Sequence, residues 1–540
     1  MSQFHSNVNR NSEEFRKNRE DMLAAVGDMR EVLDRAAALS DKSLPRFEKR
    51  GQILPRERLS RVLDPGMPFL ELLNMAGFTV DTEDRDKSIP GSSTIVGIGF
   101  VGGARCMIMV DDSGINAGAM TALSTMKANR AMDIAREKKL PFIHLVESAG
   151  ANLLEYEVEM WIDGGGVFAR LARLSAAGVP TFVVLHGASA AGGAYMPGMS
   201  DYVIGVKGNG KAYLAGPALL KAATGEVADD AELGGAEMHS RVSGLVEYLA
   251  EDDAHGIAIC RELLDRLEWN RMCPQMPPAS FSEPVYDIDE LAGIVPADYR
   301  QPYDVREVVA RIVDGSDILD FKPDYGPATV CMQAKVYGMP VGIIGNNGPI
   351  DNAGATKAAQ FIQLCDQSDI PLVFLQNITG YMVGTEFEQG GMIKHGAKMI
   401  QAVTNTRVPR ITFMIGASFG AGNYGMCGRG YDPDFVFSWP NINIGVMGGE
   451  SAAKTMSQVM LAGAKRKGIE VPAEVIDEQE ARIVAHFDKQ SDAFYTSGRM
   501  LDDGLIDPRD TRKVLGFVLQ TCWEARNRTT HPNTFGVGRM

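Results

Sequence analysis

The sequence predicts an α/β fold that occurs twice along one chain. Short apolar strands alternate with amphipathic helices, which is the pattern of an α/β domain. The stretch 179–199 (VPTFVVLHGASAAGGAYMPGM) recurs as 408–426 (VPRITFMIGASFGAGNYGM), and Gly187 and Gly416 lie 229 residues apart. Each copy is typical of a buried strand that runs into small residues, which indicates a tight turn into a helix.

Two further pairs of segments occur in the same order. Residues 140–150 (LPFIHLVESAG) match 370–380 (IPLVFLQNITG) at an offset of 230, and Asn-Ala-Gly-Ala at 116–119 matches 352–355 more loosely. Three matches in one order predict an internal duplication. Each copy therefore supplies one glycine-rich turn, whose backbone amides can point at a developing negative charge.

The elements of the first copy follow from hydrophobic spacing and turn residues. A helix is predicted over 13–38, followed by a basic stretch at 49–58, which is either a solvated cluster or a contact for a phosphate. The triple glycine 164–166 is expected just ahead of a helix. We predict strands at 94–101, 104–110, 142–146 and 181–185, and helices at 119–138, 161–177 and 257–267.

The second copy begins after a linker. Four prolines fall between residues 273 and 284, so we place the linker at 273–287 and the domains at 14–272 and 288–540. A loop is expected at 383–391, ahead of the helix that leads to the second turn. We predict strands at 328–336, 339–345, 372–375 and 411–415, and helices at 304–313, 356–368, 392–404, 448–465 and after 507.

Composition and charge exclude several classes of protein. A chain of 540 residues with 45% hydrophobic residues suits a globular protein of two or three domains, and the formal charge of −15 argues against a nucleic-acid-binding protein. Seven scattered cysteines without a CxxC pair argue against a structural zinc site and a disulfide scaffold, and we expect no metal. The first thirty residues lack an apolar segment and 93–110 is typical of a hairpin, so we predict a cytoplasmic protein without a membrane span.

The side chains offer no obvious catalytic acid, base or nucleophile. No Ser-His-acid arrangement, HExxH motif or Walker-type loop is present. His186 borders the first turn, but Ile415 takes its place in the second copy, so we expect a buried, hydrogen-bonded histidine rather than a base. Lys398 lies within a predicted helix and lacks the neighbours of a biotin-attachment lysine. What remains is stabilisation of enolate charge by two sets of backbone amides.

Seven motifs spread over nearly the whole chain resemble the carboxyltransferase β subunits of biotin-dependent acyl-CoA carboxylases. Within that family they are most similar to the methylcrotonyl-CoA and geranyl-CoA branch. The motifs are KRGQILPRERL–DPG (49–66), SAAGGAYMPGMSD (189–201), AGPALLKAATGE (215–226), GGAEMHSRVSG (234–244), NNGPIDNAGATKAAQFIQLCD (346–366), FLQNITGYMVG (374–384) and ASFGAGNYGMCGR (417–429).

The resemblance implies two tandem crotonase-like (ClpP/crotonase) domains with ββα spiral units. It implies that the first domain of one subunit binds acyl-CoA and that the second domain of another subunit receives carboxybiotin. Because this sequence has no biotin-carrier motif and no ATP-grasp pattern, biotin is expected on a separate biotin carboxylase/biotin-carrier α subunit. The expected assembly is a homo-oligomer, a hexamer.

The resemblance also implies the roles of particular residues. Gly192 and Gly193 correspond to the family's hole for the acyl-CoA enolate, and Ala421 and Gly422 to its hole for the enolate of the biotin ureido group. Contacts with coenzyme A, as part of the substrate, are expected at Ser148, Ala149, Gly150, Ala151 and Lys221. Contacts on the biotin side are expected at Asn377, Gly380, Phe419 and Gly420. Relatives often have arginine where this chain has Asn152, so a phosphate contact is not carried over to that position.

Gly164 decides which substrate the resemblance implies. The methylcrotonyl branch typically has a phenylalanine here that closes the acyl pocket, and glycine leaves room for several more carbons. We therefore predict carboxylation of geranyl-CoA at its γ-carbon, with methylcrotonyl-CoA as the alternative. Two other classes stay open: the α subunit of a biotin-dependent decarboxylase, and a crotonase-type hydratase or isomerase. The latter requires only one domain and an acidic pair near the first turn.

Overall fold

The computed structural model describes residues 3–151, 158–277 and 279–538, which fall into two compact units. The N-unit consists of Glu31–Met276 with Gln520–Met540, and the C-unit of Met1–Arg30 with Pro277–Leu519. The chain leaves the N-unit at Met276, inside the segment 273–287 predicted as a linker. Each unit also includes one terminal segment from the opposite end of the chain.

The N-unit is built on one sheet, which has eight strands among the described residues. Its strand order is β1-β2-β3-β4-β5-β6-β8, with β7 paired to β5, and pairing is antiparallel as far as β3 and parallel beyond it. The strands are β1 (Leu70–Leu72), β2 (Thr94–Val101), β3 (Ala104–Asp111), β4 (Phe142–Ser148), β5 (Thr181–Ala190), β6 (Tyr202–Val206), β7 (Lys211–Tyr213) and β8 (Tyr248–Ala250). The helices from the start of the chain are α1 (Glu13–Asp41), α2 (Leu44–Lys49), α3 (Pro55–Val62), α4 (Ala122–Glu137), α5 (Val158–Gly164), α6 (Gly166–Ala176), α7 (Tyr195–Met199), α8 (Pro217–Thr224), α9 (Asp230–Gly234), α10 (Ala236–Met238) and α11 (Asp253–Leu267).

The C-unit has a second sheet, of seven strands in its described part. Its order is β14-β13-β12-β11-β10-β9, with β15 paired to β13, and only the pairs of β10 are antiparallel. The strands are β9 (Leu319–Asp320), β10 (Thr329–Val336), β11 (Met339–Asn346), β12 (Leu372–Ile378), β13 (Arg410–Phe419), β14 (Phe435–Ser438) and β15 (Asn443–Gly445). The helices are α12 (Leu291–Ile294), α13 (Val305–Val309), α14 (Asn352–Gln367), α15 (Thr385–Gln389), α16 (Met392–Asn405), α17 (Gly420–Gly425), α18 (Gly449–Arg466), α19 (Ala473–Ser491), α20 (Ala493–Gly498) and α21 (Thr511–Asn527). The residues of α21 from Gln520 onward belong to the N-unit.

The two units repeat polar contacts as well as elements. Asp64 accepts hydrogen bonds from both amides of the β2–β3 turn at 3.0 and 2.7 Å, and Asp314 does the same for the β10–β11 turn at 2.9 and 2.6 Å. Lys127 of α4 and Lys357 of α14 are both buried and donate to backbone carbonyls. The α/β fold with duplicated elements is therefore confirmed at the level of single contacts.

The loosest of the three sequence matches is wrong as a structural match. Residues Asn116–Gly118 form a 3₁₀ turn ahead of α4, and Thr121 caps that helix. The second Asn-Ala-Gly-Ala begins α14 itself, and Asp351 caps it. The two caps lie 230 residues apart, the offset of the neighbouring strands, so the matching tetrapeptides fall at different places in the fold.

Several predicted elements differ in extent. Strands β5 and β13 continue four or more residues into the small residues where a turn was predicted, because those residues still pair with β7 and β15. The triple glycine lies between α5 and α6 rather than ahead of a helix, since Gly165 keeps helical dihedral angles (φ −58°, ψ −20°). The helix predicted at 304–313 is limited to α13, and α15 lies inside the predicted loop at 383–391.

The predicted hairpin over 93–110 is confirmed. Strands β2 and β3 pair in antiparallel register from Thr94–Asp111 to Val101–Ala104, and every residue of both strands is buried. None of the helices in the described parts of the chain is both long and apolar enough to cross a membrane.

Candidate active site

The first glycine-rich turn lies at the end of β5. Ala191 has a left-handed backbone (φ +53°), and a 3₁₀ turn over Ala191–Ala194 then leads into α7. Ser189 Oγ donates a hydrogen bond to the carbonyl of Gly193 at 2.8 Å and so holds the turn. Gly192 and Gly193 are the second and third residues of the turn, where backbone N–H groups have no acceptor within the helix. No side chain caps the turn, so these amides are suited to a negative charge.

The second turn has the same backbone at the end of β13. Gly420 is left-handed (φ +57°) at the position of Ala191, and α17 begins there without a side-chain cap. Ala421 and Gly422 therefore take the places of Gly192 and Gly193. The described residues thus contain two sets of helix-start amides, one in each unit, of which the first opens a 3₁₀ turn and the second an α-helix.

Hydrogen bonds from polar side chains at the ends of β12 and β13 hold the second turn in place. Ser418 Oγ donates to Gln376 Oε1 at 2.6 Å and accepts from Asn423 Nδ2 at 2.8 Å. Asn377 Oδ1 accepts from the backbone N–H of Ala417 at 3.0 Å. These bonds join the end of β12 to the end of β13 and place Asn377 beside the turn.

A second loop borders each turn. Ser148 ends β4, donates to the carbonyl of Gly118 at 2.6 Å and accepts from the N–H of Gly150 at 3.2 Å. Its register partner in β5 is Ser189, so the loop 148–151 (Ser148, Ala149, Gly150, Ala151) lies beside the first turn. In the C-unit a Cβ atom added to Gly422 would lie 3.1 Å from Gly380 Cα, so Gly380 borders the second turn in the same way.

Lys221 makes no described contact with these residues. Lys221 is exposed on α8, and the described residues show no hydrogen bond between its amino group and the loop 148–151. Asn152, the position that departs from the family, lies outside the described residues. Lys398 lies within α16, the helix predicted for it, and its side chain is exposed.

Among the described residues, few atoms lie close to the glycine that was predicted to set the substrate. Gly164 ends α5, and the nearest atom that an added Cβ would meet is Thr125 Cγ2, at 3.9 Å. At Gly166, in contrast, an added Cβ would lie 2.8 Å from Arg170 Nη1. A larger side chain is therefore accommodated more easily at Gly164 than at Gly166.

A buried charge network behind the first turn was not predicted. Arg58 is fully buried; its Nη1 donates to Glu147 Oε2 at 2.7 Å and its Nε to Asp253 Oδ2 at 3.0 Å. Asp253 Oδ1 lies 2.9 Å from His186 Nδ1, and Gln52 donates to the carbonyl of His186 at 2.7 Å. The basic stretch 49–58 is thus neither fully solvated nor wholly available to a phosphate, since Arg58 is neutralised by two carboxylates. The sequence signal that could have indicated this network is Glu147, a glutamate near the end of the apolar strand β4.

Burial is the main reason why the pKa of His186 is lowered. Burial, and then the charge of Arg58, lower the pKa of His186 below 6.5. Burial alone would raise the pKa of Asp253, but the hydrogen bond from His186 and the charge of Arg58 lower it below 3.8 overall. The prediction of a buried, hydrogen-bonded His186 is confirmed at Nδ1, while its Nε2 has no hydrogen-bond partner among the described residues.

A cavity of about 390 Å³ opens beside the second turn. Phe419, the residue before α17, lines it, and the Tyr299 ring packs edge-on against Phe419 with the centroids 5.1 Å apart. Gly445, Val446 and Gly448 form its backbone wall. Its volume is within the range of small-molecule sites, about 300–1,000 Å³.

Comparison with known protein families decides what kind of protein has these two turns. The profile described as "Carboxyl transferase domain" matches residues 46–536. The chain belongs to the carboxyl transferase family. Both turns and both bordering loops of this carboxyl transferase lie within the matched residues, and the resemblance predicted from the motifs is confirmed.

Named relatives of this carboxyl transferase extend over almost the whole chain. It is 47% identical over 92% of its length, and 92% of the relative's, to a probable biotin-dependent acyl-coenzyme A carboxylase beta2 subunit of Mycobacterium tuberculosis. It is 44% identical to the mitochondrial methylcrotonoyl-CoA carboxylase beta chain of Arabidopsis thaliana, covering 99% and 91% of the two chains. The crystal structure of the geranyl-CoA carboxylase beta subunit of P. aeruginosa is 48% identical, with a TM-score of 0.93 and complete coverage of both chains.

Proposed function

We propose that this enzyme is the carboxyltransferase β subunit of a biotin-dependent acyl-CoA carboxylase, acting on a branched 2-enoyl-CoA of the geranyl-CoA type. The observation that carries the proposal is the family match over 46–536, which includes two turns with the same backbone. Transfer of a carboxyl group between two enolate-forming partners requires two sites for negative charge, and the duplicated fold provides one in each unit.

The backbone amides perform the electrostatic part of the reaction. In the N-unit, the N–H groups of Gly192 and Gly193 stabilise the enolate oxygen of the acyl thioester. In the C-unit, those of Ala421 and Gly422 stabilise the ureido oxygen of biotin. Donors fixed by a strand end and a helix start need no reorganisation as charge develops, which is the main source of rate enhancement in such sites.

The two tandem domains would be crotonase-like, with ββα spiral units, the first at 14–272, the linker at 273–287 and the second at 288–540. The acyl-CoA belongs to the first domain, where the loop of Ser148, Ala149, Gly150 and Ala151 contacts coenzyme A, together with Lys221. The second domain belongs to biotin, with Asn377, Gly380, Phe419 and Gly420 around the ring.

The cavity beside Phe419 fits the biotin ring. Its backbone wall is close to the turn, since a Cβ atom added to Gly420 would lie 3.2 Å from the carbonyl oxygen of Val446. A flat, uncharged ring with hydrogen-bonding edges suits a cavity lined by aromatic rings and by polar side chains such as Asn443 and Gln490. Carboxybiotin, carried by a biotin carboxylase/biotin-carrier α subunit, supplies the carboxyl group.

The choice of a geranyl-type substrate rests on the open space at Gly164 and on the relative of known structure, whose name is geranyl-CoA carboxylase. Methylcrotonyl-CoA is the second candidate, because the Arabidopsis relative is named for that substrate. The test of the function itself is ATP- and bicarbonate-dependent carboxylation of both thioesters after co-expression with a biotin-carrying subunit. Carboxylation of neither substrate, nor of other acyl-CoA thioesters in the panel, contradicts the proposal.

The substitution Gly164→Phe is expected to change the substrate preference. A benzyl group in the open space beside Thr125 would shorten the acyl pocket, so kcat/KM for geranyl-CoA should fall about tenfold or more relative to methylcrotonyl-CoA, since a hydrophobic pocket discriminates by roughly 1–3 kcal/mol. The measurement is the ratio of kcat/KM for the two thioesters. Gly463→Phe in α18 of the C-unit, where an added Cβ meets no atom within 4 Å, is the matched control and should leave this ratio unchanged. Equal losses on both substrates would show that Gly164 does not bound the pocket.

A homo-oligomer, a hexamer, is the expected assembly. Large apolar side chains are exposed on both units, at Trp161 and Ile162 of the N-unit and at Val446 and Val459 of the C-unit. Exposed apolar patches commonly mark contacts between proteins. Light scattering of the purified chain should give a mass of six copies. A monomer with full carboxylation activity contradicts this expectation. The cytoplasmic location stays a prediction, and the name of the Arabidopsis relative assigns that protein to mitochondria.

A further inference from the structure

A buried histidine–aspartate pair lies behind the first turn, separate from the network of Arg58. His144 of β4 places its Nε2 3.0 Å from Asp111 Oδ1, and Asp111 Oδ2 accepts the N–H of Glu147 at 3.2 Å. Because both oxygens of Asp111 act as acceptors, His144 Nε2 carries a proton. His144 Nδ1 is buried and has no hydrogen-bond partner among the described residues. Leaving such an atom unpaired costs about 1–3 kcal/mol.

The unpaired atom belongs to a residue that lines a small cavity of about 30 Å³. His144 and Asp111 line it together with Ser148, Ser189 and Gly193, the residues of the first turn and its bordering loop. The remaining walls are mostly apolar and include Met109, Met120, Ala128, Val146, Val167 and Met196. A space of this size holds one small polar group, because one water requires about 10–15 Å³ on the same measure.

The duplication shows that the fold does not require histidine at this place. His144 is the third residue of β4, and the third residue of β12 is Phe374, which is fully buried. Asp111 ends β3, and the corresponding end of β11 is Asn346. Only the unit assigned to acyl-CoA buries an imidazole there, so a requirement of the sheet does not explain it.

The cavity and the glycine assigned to substrate size both lie beside helix α4. Ser124 and Ala128 of α4 and Val167 of α6 line the cavity. Gly164, at the end of the preceding helix, has Thr125 of α4 as the nearest neighbour of its missing side chain. The space beside Gly164 and the cavity beside His144 are thus both bordered by α4.

We propose that this cavity receives a single hydroxyl group at the far end of the acyl chain and that His144 binds it there, so that the preferred substrate is a hydroxylated branched 2-enoyl-CoA. This inference rests on the proposed carboxyltransferase function. A hydroxyl group both donates and accepts, so it pairs with Nδ1 whether or not that nitrogen carries a proton. The neighbouring apolar walls contact the hydrocarbon part of the chain.

The test compares geranyl-CoA with two analogues that carry one hydroxyl group at the far end of the chain, one on a terminal methyl carbon and one from hydration of the distal double bond. We expect kcat/KM of at least one analogue to exceed that of geranyl-CoA by about tenfold. In His144→Phe, which introduces the residue of the other unit, this ratio should fall to about one. His144→Gln keeps a hydrogen-bonding side chain, so the ratio of kcat/KM for the hydroxylated analogue to that for geranyl-CoA should stay above one.

The controls separate this inference from the function on which it rests. Phe374→Leu changes the matching position of the C-unit and should leave the ratio unaltered, and thermal unfolding of each variant reports whether it is folded. Carboxylation of geranyl-CoA with a hydroxyl ratio near one in the unmodified enzyme overturns the role of His144 and leaves the carboxyltransferase function intact. A ratio that His144→Phe does not change also overturns it. Absence of carboxylation of every thioester contradicts the proposed function instead.

Discussion

We expect the substitution Gly422→Val to lower the rate of carboxyl transfer by about 10²- to 10³-fold, the loss that follows removal of one oxyanion donor. A Cβ atom at this position would lie 2.6 Å from Ile378 Cγ1 and 3.1 Å from Gly380 Cα. Ile378 is fully buried and Gly380 presents only backbone, so the start of α17 must move and its amides must turn away. The measurement is kcat for geranyl-CoA carboxylation with ATP, bicarbonate and the biotin-carrying subunit.

A partial reaction distinguishes the two turns. Decarboxylation of carboxybiotin without acyl-CoA depends on the biotin side, so Gly422→Val should suppress it, whereas Gly193→Val should suppress only the overall reaction. Gly463→Val is the control, because an added Cβ at Gly463 of α18 meets no atom within 4 Å. A folded Gly422→Val enzyme with undiminished carboxylation would refute the role of the second turn.

The substitution Arg58→Met should destabilise the N-unit by about 3–5 kcal/mol. Removing one member of a buried ion pair leaves its partners charged and uncompensated, and Arg58 neutralises both Glu147 and Asp253 in a site without exposed surface. Hydrogen exchange followed by mass spectrometry measures the opening free energy of β4 and β5. The same measurement on β12 and β13 of the C-unit is the internal control and should change little.

A second variant of the same helix tests whether the burial of Arg58 is the reason for the loss of stability. Arg61 of α3 is about half exposed and pairs with Glu57 one turn away, so Arg61→Met should cost less than about 1 kcal/mol. Equal losses for the two variants would show that helix α3, rather than the buried charges, accounts for the effect.

The buried network should also make the N-unit sensitive to acid. The pKa of Asp253 is lowered in the folded state, so its contribution to stability is present above the unfolded value of 3.8 and is lost as the pH falls through the folded value. The pKa of His186 is also lowered, so the unfolded chain binds its proton first below pH 6.5. Both pKa shifts make the folded N-unit less stable as the pH falls. The exchange protection of β4 and β5 should therefore decrease on acidification.

The elements that carry the two turns could be predicted because their signals are local. An apolar run before small residues marks the ends of β5 and β13, and repetition of that pattern distinguishes it from chance. Helix α19 could not be predicted in the same way, because none of its described side chains is buried and no core-facing stripe marks it.

From the sequence, only the part of the site that is formed by backbone amides could be predicted. Gly193 and Gly422 are recognisable from their neighbours in sequence, and the structure gives both turns the same left-handed entry. Arg58 could not be assigned to the site, because its partners Glu147 and Asp253 lie 89 and 195 residues further along the chain. The same holds for Asp111 and His144, which are 33 residues apart and have no polar equivalent pair in the second copy to mark them.

The assignment of each terminal segment to the opposite unit determines when the units can be completed during synthesis. Every strand of the N-unit sheet is made by Ala250, yet Arg105 pairs with Glu524 at 2.8 Å and Arg528 donates to the carbonyl of Trp269. At about 5–20 residues per second, the ribosome needs roughly 10–50 s to make the intervening residues of the C-unit. During that interval Glu524 and Arg528 have not yet been made, so the nascent N-unit forms its sheet before it can form these two contacts.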